Sequence, residues 1–163
     1  MKLFADTANI KEIEHLLESG AIQGITTNPS LLAKEPKTDF YGHIQKICNL
    51  CTAYGVELPI SVEVFATEPD KMIDQAIEIS KKVQYKNLNI KIPVGFNELK
   101  VIHKLSQIGI RVNCTCCFTE TQLELAALSG AKYVSLFYNR LKDVGGNPQE
   151  VLKSVRKFID NNH

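Results

Sequence analysis

The sequence contains no apolar stretch approaching the ~18 residues that span a bilayer. Its first residues, Met1-Lys2-Leu3-Phe4-Ala5-Asp6, lack the basic segment and following apolar run of a signal peptide. The expectation is a cytoplasmic protein with no membrane partner. An excess of one charge is also missing: 19 Lys and Arg stand against 18 Asp and Glu, a net of +1. Nothing therefore steers the chain toward nucleic acid or anionic lipid. No linker-like or low-complexity stretch interrupts the 163 residues, so residues 1–163 are read as a single domain.

Cysteine is present in an odd number: Cys48, Cys51, Cys114, Cys116 and Cys117. Without a secretory signal this argues against a disulfide framework. Cys48-x-x-Cys51 with Cys114-x-Cys116 has the look of a zinc set. The spacing favours another reading. Phe40, Ile44, Ile47, Cys48 and Cys51 follow a helical stripe, and free cysteine commonly behaves as a small buried apolar residue. In the second group, strand alternation puts Cys114 and Cys116 on one face and Cys117 on the other. No metal and no cofactor are expected.

What the sequence does have is a regular alternation of short apolar strands and amphipathic helices. Strands are expected at about 2–6, 23–27, 59–65, 88–92, 110–116 and 133–137. Helices follow each of them. Ile10, Ile13, Leu16 and Leu17 mark the first, which Gly20 stops. Asn28-Pro29-Ser30 reads as a turn, and a long helix runs from about Asp39 to Tyr54. Thr67-x-x-Asp70 with Pro69, Thr119-x-x-Gln122 and Asn147-Pro148 open later helices. Leu152, Val155, Phe158 and Ile159 form the last stripe, and Asn161-Asn162-His163 reads as a frayed tail.

Six βα units at a spacing of roughly 25 residues imply a parallel sheet covered by helices. An open doubly wound sheet and a partial (β/α) barrel both satisfy that pattern. The first βα turn lacks the Gly-rich phosphate fingerprint, which weakens a nucleotide-binding reading.

Parallel strands are buried on both faces, so polar residues inside them need a reason. Asn89 and Lys91 share one face of their strand against Leu88, Ile90 and Ile92. Arg111, Asn113 and Thr115 oppose Val112, Cys114 and Cys116. Glu63 lies on the parity of Ser61, and Asp6 on that of Phe4. These polar residues sit near the C-terminal ends of their strands, where barrel active sites form. Burial lowers a lysine's pKa from its usual ~10.4 and frees the neutral amine, so Lys91 is a candidate Schiff-base former. On this pattern alone, Lys91 is equally a structural partner of Asp6 or Glu63.

The same residues carry a family resemblance. Phe4-Ala5-Asp6-Thr7-Ala8-Asn9, Gly24-Ile25-Thr26-Thr27-Asn28-Pro29-Ser30-Leu31, Ile90-Lys91-Ile92-Pro93, Val112-Asn113-Cys114-Thr115 and Gly130-Ala131-Lys132-Tyr133-Val134-Ser135 leading to Asn139-Arg140-Leu141 occur in this order. Over essentially its whole length the chain resembles the transaldolase and fructose-6-phosphate aldolase family, especially its short members. The resemblance implies a (β/α) TIM-barrel type fold, here with about six of eight units. It also implies transaldolase activity: transfer of a dihydroxyacetone unit between sugar phosphates, a step of the pentose phosphate pathway.

By that resemblance Lys91 forms the imine with the donor ketose. Asp6 orients the donor and assists proton transfer, while Glu63 and Thr115 hold a catalytic water. Asn28 and Asn113 bind donor hydroxyls, Thr26 and Ser135 line the pocket, and Arg140 binds the substrate phosphate. Glu63 and Phe137 match transaldolases, where the aldolases tend to carry glutamine and tyrosine. The alternatives are a fructose-6-phosphate aldolase, or a shortened, weakly active or non-catalytic remnant. Leu136, Lys142, Cys116 and Cys117 depart from the family's usual residues. The family also continues for about two more βα units. An open edge at the first and sixth strands invites self-association, so a homo-oligomer is expected.

Overall fold

The computed structural model describes residues 2–36 and 39–162. Fourteen elements follow one another among them: β1 (Phe4–Asp6), α1 (Ile10–Glu18), β2 (Gly24–Thr26), α2 (Pro29–Leu32), α3 (Phe40–Ala53), β3 (Ile60–Glu63), α4 (Pro69–Lys82), β4 (Leu88–Pro93), α5 (Glu98–Gln107), β5 (Val112–Cys117), α6 (Glu120–Leu128), β6 (Tyr133–Leu136), α7 (Tyr138–Asp143) and α8 (Pro148–Asn162). The sheet order is β1-β2-β3-β4-β5-β6. A sequential parallel order belongs to a (β/α) barrel, whereas a doubly wound sheet reverses its order at a switch point. The chain thus carries six of the eight βα units of the barrel type. None of the described helices is long and apolar enough to cross a membrane.

The chain divides into two compact units: Met1–Ala66 with Asp74–Ile90, and Thr67–Ile73 with Lys91–His163. In the first unit the register is Ala5↔Ile25↔Ile60 and Asp6↔Thr26↔Ser61. The apolar row packs with Ile13 and Leu17 of α1 and with Ile44, Ile47, Cys48 and Cys51 of α3, all buried. In the second unit, Val101, Ile102 and Leu105 of α5 and Leu123, Ala126 and Ala127 of α6 are buried beside Val112 and Cys114 of β5. Ends are set where the sequence signals them. Gly20, Gly55, Gly109 and Gly130 follow helices with positive φ, and Thr119 with Gln122 forms a complete capping box on α6.

Four expectations are corrected. Asn28-Pro29 opens the short helix α2 instead of a turn, because the Asn28 side chain accepts from Leu31 N at 2.9 Å and Pro29 takes the first helical position. α7, unread in the sequence, is a six-residue helix with no side-chain cap. Asn161 and Asn162 belong to α8, where Asn162 Nδ2 donates to the Phe158 carbonyl at 2.8 Å; His163 lies outside the described residues. Cys117 does not face away from Cys114. A β-bulge at Cys116, whose φ is 64°, takes the register from Cys114↔Val134 to Cys117↔Leu136. The extra residue restores Cys117 to the face of Cys114, and their sulfurs lie 3.7 Å apart.

The α3 cysteines are buried thiols. Burial pushes Cys48 up from its ordinary 9.0 to about 12, and raises Cys51 as well. A folded chain that holds this proton while the unfolded chain releases it is fully stabilised below pH 9, and loses the difference as pH rises from 9 toward 12. Unfolding free energies from urea titrations at pH 8, 10 and 11 should fall, by up to about 1.4 kcal/mol per pH unit for each such group. A Cys48→Val variant should show a shallower fall; an identical slope would mean that Cys48 does not contribute.

Candidate active site

The first unit presents a polar row on the face opposite its helix-covered side. Asp6, Thr26 and Glu63 are the last residues of β1, β2 and β3. Asp6 and Thr26 are register partners, and Thr26 Oγ1 donates to Asp6 Oδ1 at 2.7 Å. Thr26 is thus a positioning residue for the exposed Asp6 carboxylate. Ser61, fully buried, continues the row, and Glu63 follows on the same parity, half-buried. Beneath Asp6 and Thr26 on this face lie Phe4 and Gly24, also register partners. A side chain at Gly24 would overlap the Phe4 ring.

The loop after β1 is tied down at several points. Thr7 N donates to the Thr26 carbonyl at 3.1 Å. Asn9 caps α1 through Glu12 N at 3.1 Å, and its Nδ2 reaches Glu35 at 3.2 Å. From α3, the buried His43 donates through Nε2 to the Ala8 carbonyl at 2.8 Å. Asn28, half-buried, spends its side-chain oxygen on the α2 cap, which aims the amide nitrogen.

The second unit contains Lys91, which is 7% exposed. It shares the parity of Asn89 on β4; Asn89 is fully buried and its Oδ1 has no partner among the described residues. Asn113 and Thr115 of β5 are each 3% exposed. Ser135 Oγ of β6 donates to Asn113 Oδ1 at 2.7 Å, joining the two strands through the polar face. Val94 N donates to the Thr115 carbonyl at 2.8 Å, fixing the backbone after β4 against β5. Phe137 follows β6 and packs edge-on against Phe118, centroids 5.6 Å apart. The Arg140 guanidinium of α7 lies 5.0 Å from the centre of the Phe137 ring, and Arg140 is exposed.

Each candidate named from the sequence therefore lies on a strand of the polar parity, at a strand's C-terminal end or in the segment that follows. Two contributors escaped the sequence reading. Phe118, which orients Phe137, carries no motif; the Phe4–Gly24 floor was signalled only by a glycine inside a strand.

Across this framework, a family model described as Transaldolase/Fructose-6-phosphate aldolase matches residues 3–162. The chain belongs to that family. A Probable transaldolase 1 of Bacillus cereus is 44% identical over 159 residues, covering 98% of this chain and 70% of the relative. A Probable transaldolase of Clostridium botulinum is 44% identical over 155 residues, covering 95% and 68%. The chain thus spans about 70% of the length of those relatives. Among solved structures, a putative phosphonomutase from Burkholderia cenocepacia superposes with a TM-score of 0.62 at 16% identity, covering 96% of this chain and 71% of that one. A putative fructose-1,6-biphosphate aldolase from Coccidioides immitis gives 0.65 at 14%, covering 96% and 60%. At such identities these two likenesses concern the fold alone.

The floor under Asp6 and Thr26 can be tested directly. Gly24→Ala should destabilise the chain by about 1–3 kcal/mol in urea unfolding, the usual cost of overpacking. Adding Phe4→Leu should return part of that loss. Two independent, additive losses would show that the ring and the glycine do not share one space.

Proposed function

We propose that the chain is a transaldolase that moves a dihydroxyacetone unit between sugar phosphates through a Schiff base on Lys91. The observation that carries this reading is a buried lysine amine on the polar parity of β4, in a chain of the transaldolase and fructose-6-phosphate aldolase family. The neutral Nζ attacks the ketose carbonyl, and loss of water gives the imine. The Asp6 carboxylate takes the proton from the hydroxyl on the far carbon of the bond to be cleaved, which becomes the carbonyl of the departing aldose. The electron pair of that bond moves toward the iminium nitrogen, so the aldose departs and a three-carbon enamine stays on Lys91. The acceptor aldehyde then reverses these steps, and water releases the product.

The hydrogen bond from Thr26 keeps Asp6 in one rotamer for this proton transfer. Glu63 and Thr115 hold the water that moves protons as the imine forms and hydrolyses. Asn28 and Asn113 bind donor hydroxyls, Ser135 orients Asn113, and Phe137 lines the pocket. Arg140, stacked on Phe137, takes the phosphate; a planar fork of donors suits that anion. Glu63 and Phe137 support transaldolase over fructose-6-phosphate aldolase. The cytoplasm, the pentose phosphate pathway and self-association are part of the same proposal.

Imine formation needs less than a full turnover, so it is tested first. Borohydride reduction in the presence of fructose 6-phosphate should add a reduced sugar mass to the peptide containing Lys91. An adduct that persists in Lys91→Met would sink the mechanism. Transfer to erythrose 4-phosphate should exceed release of free dihydroxyacetone; dominant release would make the protein an aldolase.

Arg140→Ala should lower kcat/KM about ten- to a hundredfold for phosphorylated donors, the worth of one charge-assisted hydrogen bond. Unphosphorylated analogues should lose little. An equal loss for both would assign Arg140 to structure, through its stacking on Phe137.

A further inference from the structure

Three cysteines crowd into four residues of β5. In an unbroken strand, Cys114 and Cys117 would point to opposite faces with their Cα atoms about 10 Å apart. The bulge prevents this. Cys116 stands at a φ of 64°, and β5 advances three residues while β6 advances two. The Cys114 and Cys117 sulfurs come to 3.7 Å, and both side chains are fully buried. Cys117 Sγ also donates to the Thr115 carbonyl at 3.8 Å. The mechanism above uses neither thiol.

We propose that Cys114 and Cys117 are a dithiol modification site, which a hydroperoxide closes to an intramolecular disulfide across the β5 bulge. A disulfide needs its sulfurs about 2.05 Å apart, so each must move by less than an ångström, within the reach of small side-chain rotations. The Cys117 thiolate attacks the peroxide O–O bond, giving a sulfenic acid and releasing hydroxide. The Cys114 thiol then attacks that sulfur, the S–S bond forms, and the sulfenic oxygen leaves as water. Two thiols and one hydrogen peroxide become one disulfide and two waters, with two electrons passing from sulfur to peroxide oxygen.

The surroundings favour that order of events. The hydrogen bond from Cys114, helped by the Ser135 N–H, lowers the Cys117 pKa, while the same bond raises that of Cys114. The nucleophile and the resolving thiol are thereby distinguished. On α3, burial holds Cys48 at about 12, so the Cys48 and Cys51 thiols serve as slow internal controls. Closure also removes the Cys117 hydrogen bond to the Thr115 carbonyl, which links the modification to a residue of the proposed site. The disulfide itself does not depend on that functional reading.

The test uses the whole chain, hydrogen peroxide as the probe, and a tryptic peptide of residues 112–132, which holds all three cysteines. After oxidation, unfolding and alkylation, this peptide should lose the mass of two hydrogens and take one alkyl group instead of three. Dithiothreitol applied before alkylation should restore three. Closure should outpace oxidation of Cys48 and Cys51 by about tenfold or more. Cys116→Gly, which suits the positive φ, should still close; Cys114→Ala and Cys117→Ala should not. The proposal is overturned if Cys116→Gly takes two alkyl groups after oxidation, gains oxygen instead of a disulfide, or fails to close while wild type closes, since the last result assigns the bond to Cys116. Because wild type and Cys116→Gly decide the matter, misfolding of either alanine variant does not rescue it.

Discussion

Strand alternation under a fixed parallel register is the constraint on which the other features of this molecule rest. Ala5, Ile25 and Ile60 form one row, and Asp6, Thr26 and Ser61 the next. The first row belongs to the helices and the second to the opposite face. A slip of one residue would exchange the rows, send a carboxylate under α1 and α3, and expose the isoleucines. The hydrophobic effect that holds the helices on the sheet thus also aims the polar side chains. Lys91 obeys the same rule within β4, where Ile90 and Ile92, both buried, commit the alternate positions to the apolar side.

Given that register, short-range hydrogen bonds refine the site. Thr26 holds Asp6, Ser135 holds Asn113, and the α2 cap holds Asn28. Each is a side-chain bond worth on the order of 1 kcal/mol to stability, so none makes the fold. Their effect is to select one rotamer where several are open. His43 acts similarly on the backbone by pinning the Ala8 carbonyl just after β1. The Phe118–Phe137–Arg140 stack does for α7 what a missing cap cannot: it anchors a short helix by packing rather than by its own termini.

The bulge in β5 is the exception to alternation, and it carries chemical weight. A left-handed residue other than glycine costs on the order of 1 kcal/mol or more, and Cys116 adopts that conformation. In exchange, Phe137 N reaches the Cys117 carbonyl at 2.8 Å, and β6 is paired to its end. The two buried thiols are brought together by the same distortion.

Much of the architecture was legible. Six alternating units, the capping box at Thr119 and the glycine stops follow from local chemistry, because caps, turns and periodicity act over three or four residues. The faces of Asp6, Glu63 and Lys91 also followed from parity, since alternation is a property of the strand itself. The alternation of strands and helices left the choice between an open sheet and a barrel type open, and the motif resemblance implied the barrel type; strand order bears that out, and order depends on which strands find each other, not on any strand's own residues. Asn28-Pro29 was ambiguous for a related reason: the same pair starts a turn or a helix, and the next residues settle it by where their N–H groups point. The bulge at Cys116 was not legible at all. No glycine marks it, and it exists because β5 must match β6 across a register set by pairing. Parity was thus determined by the sequence itself, whereas the departure from parity, and with it the meeting of Cys114 and Cys117, was decided by the tertiary structure.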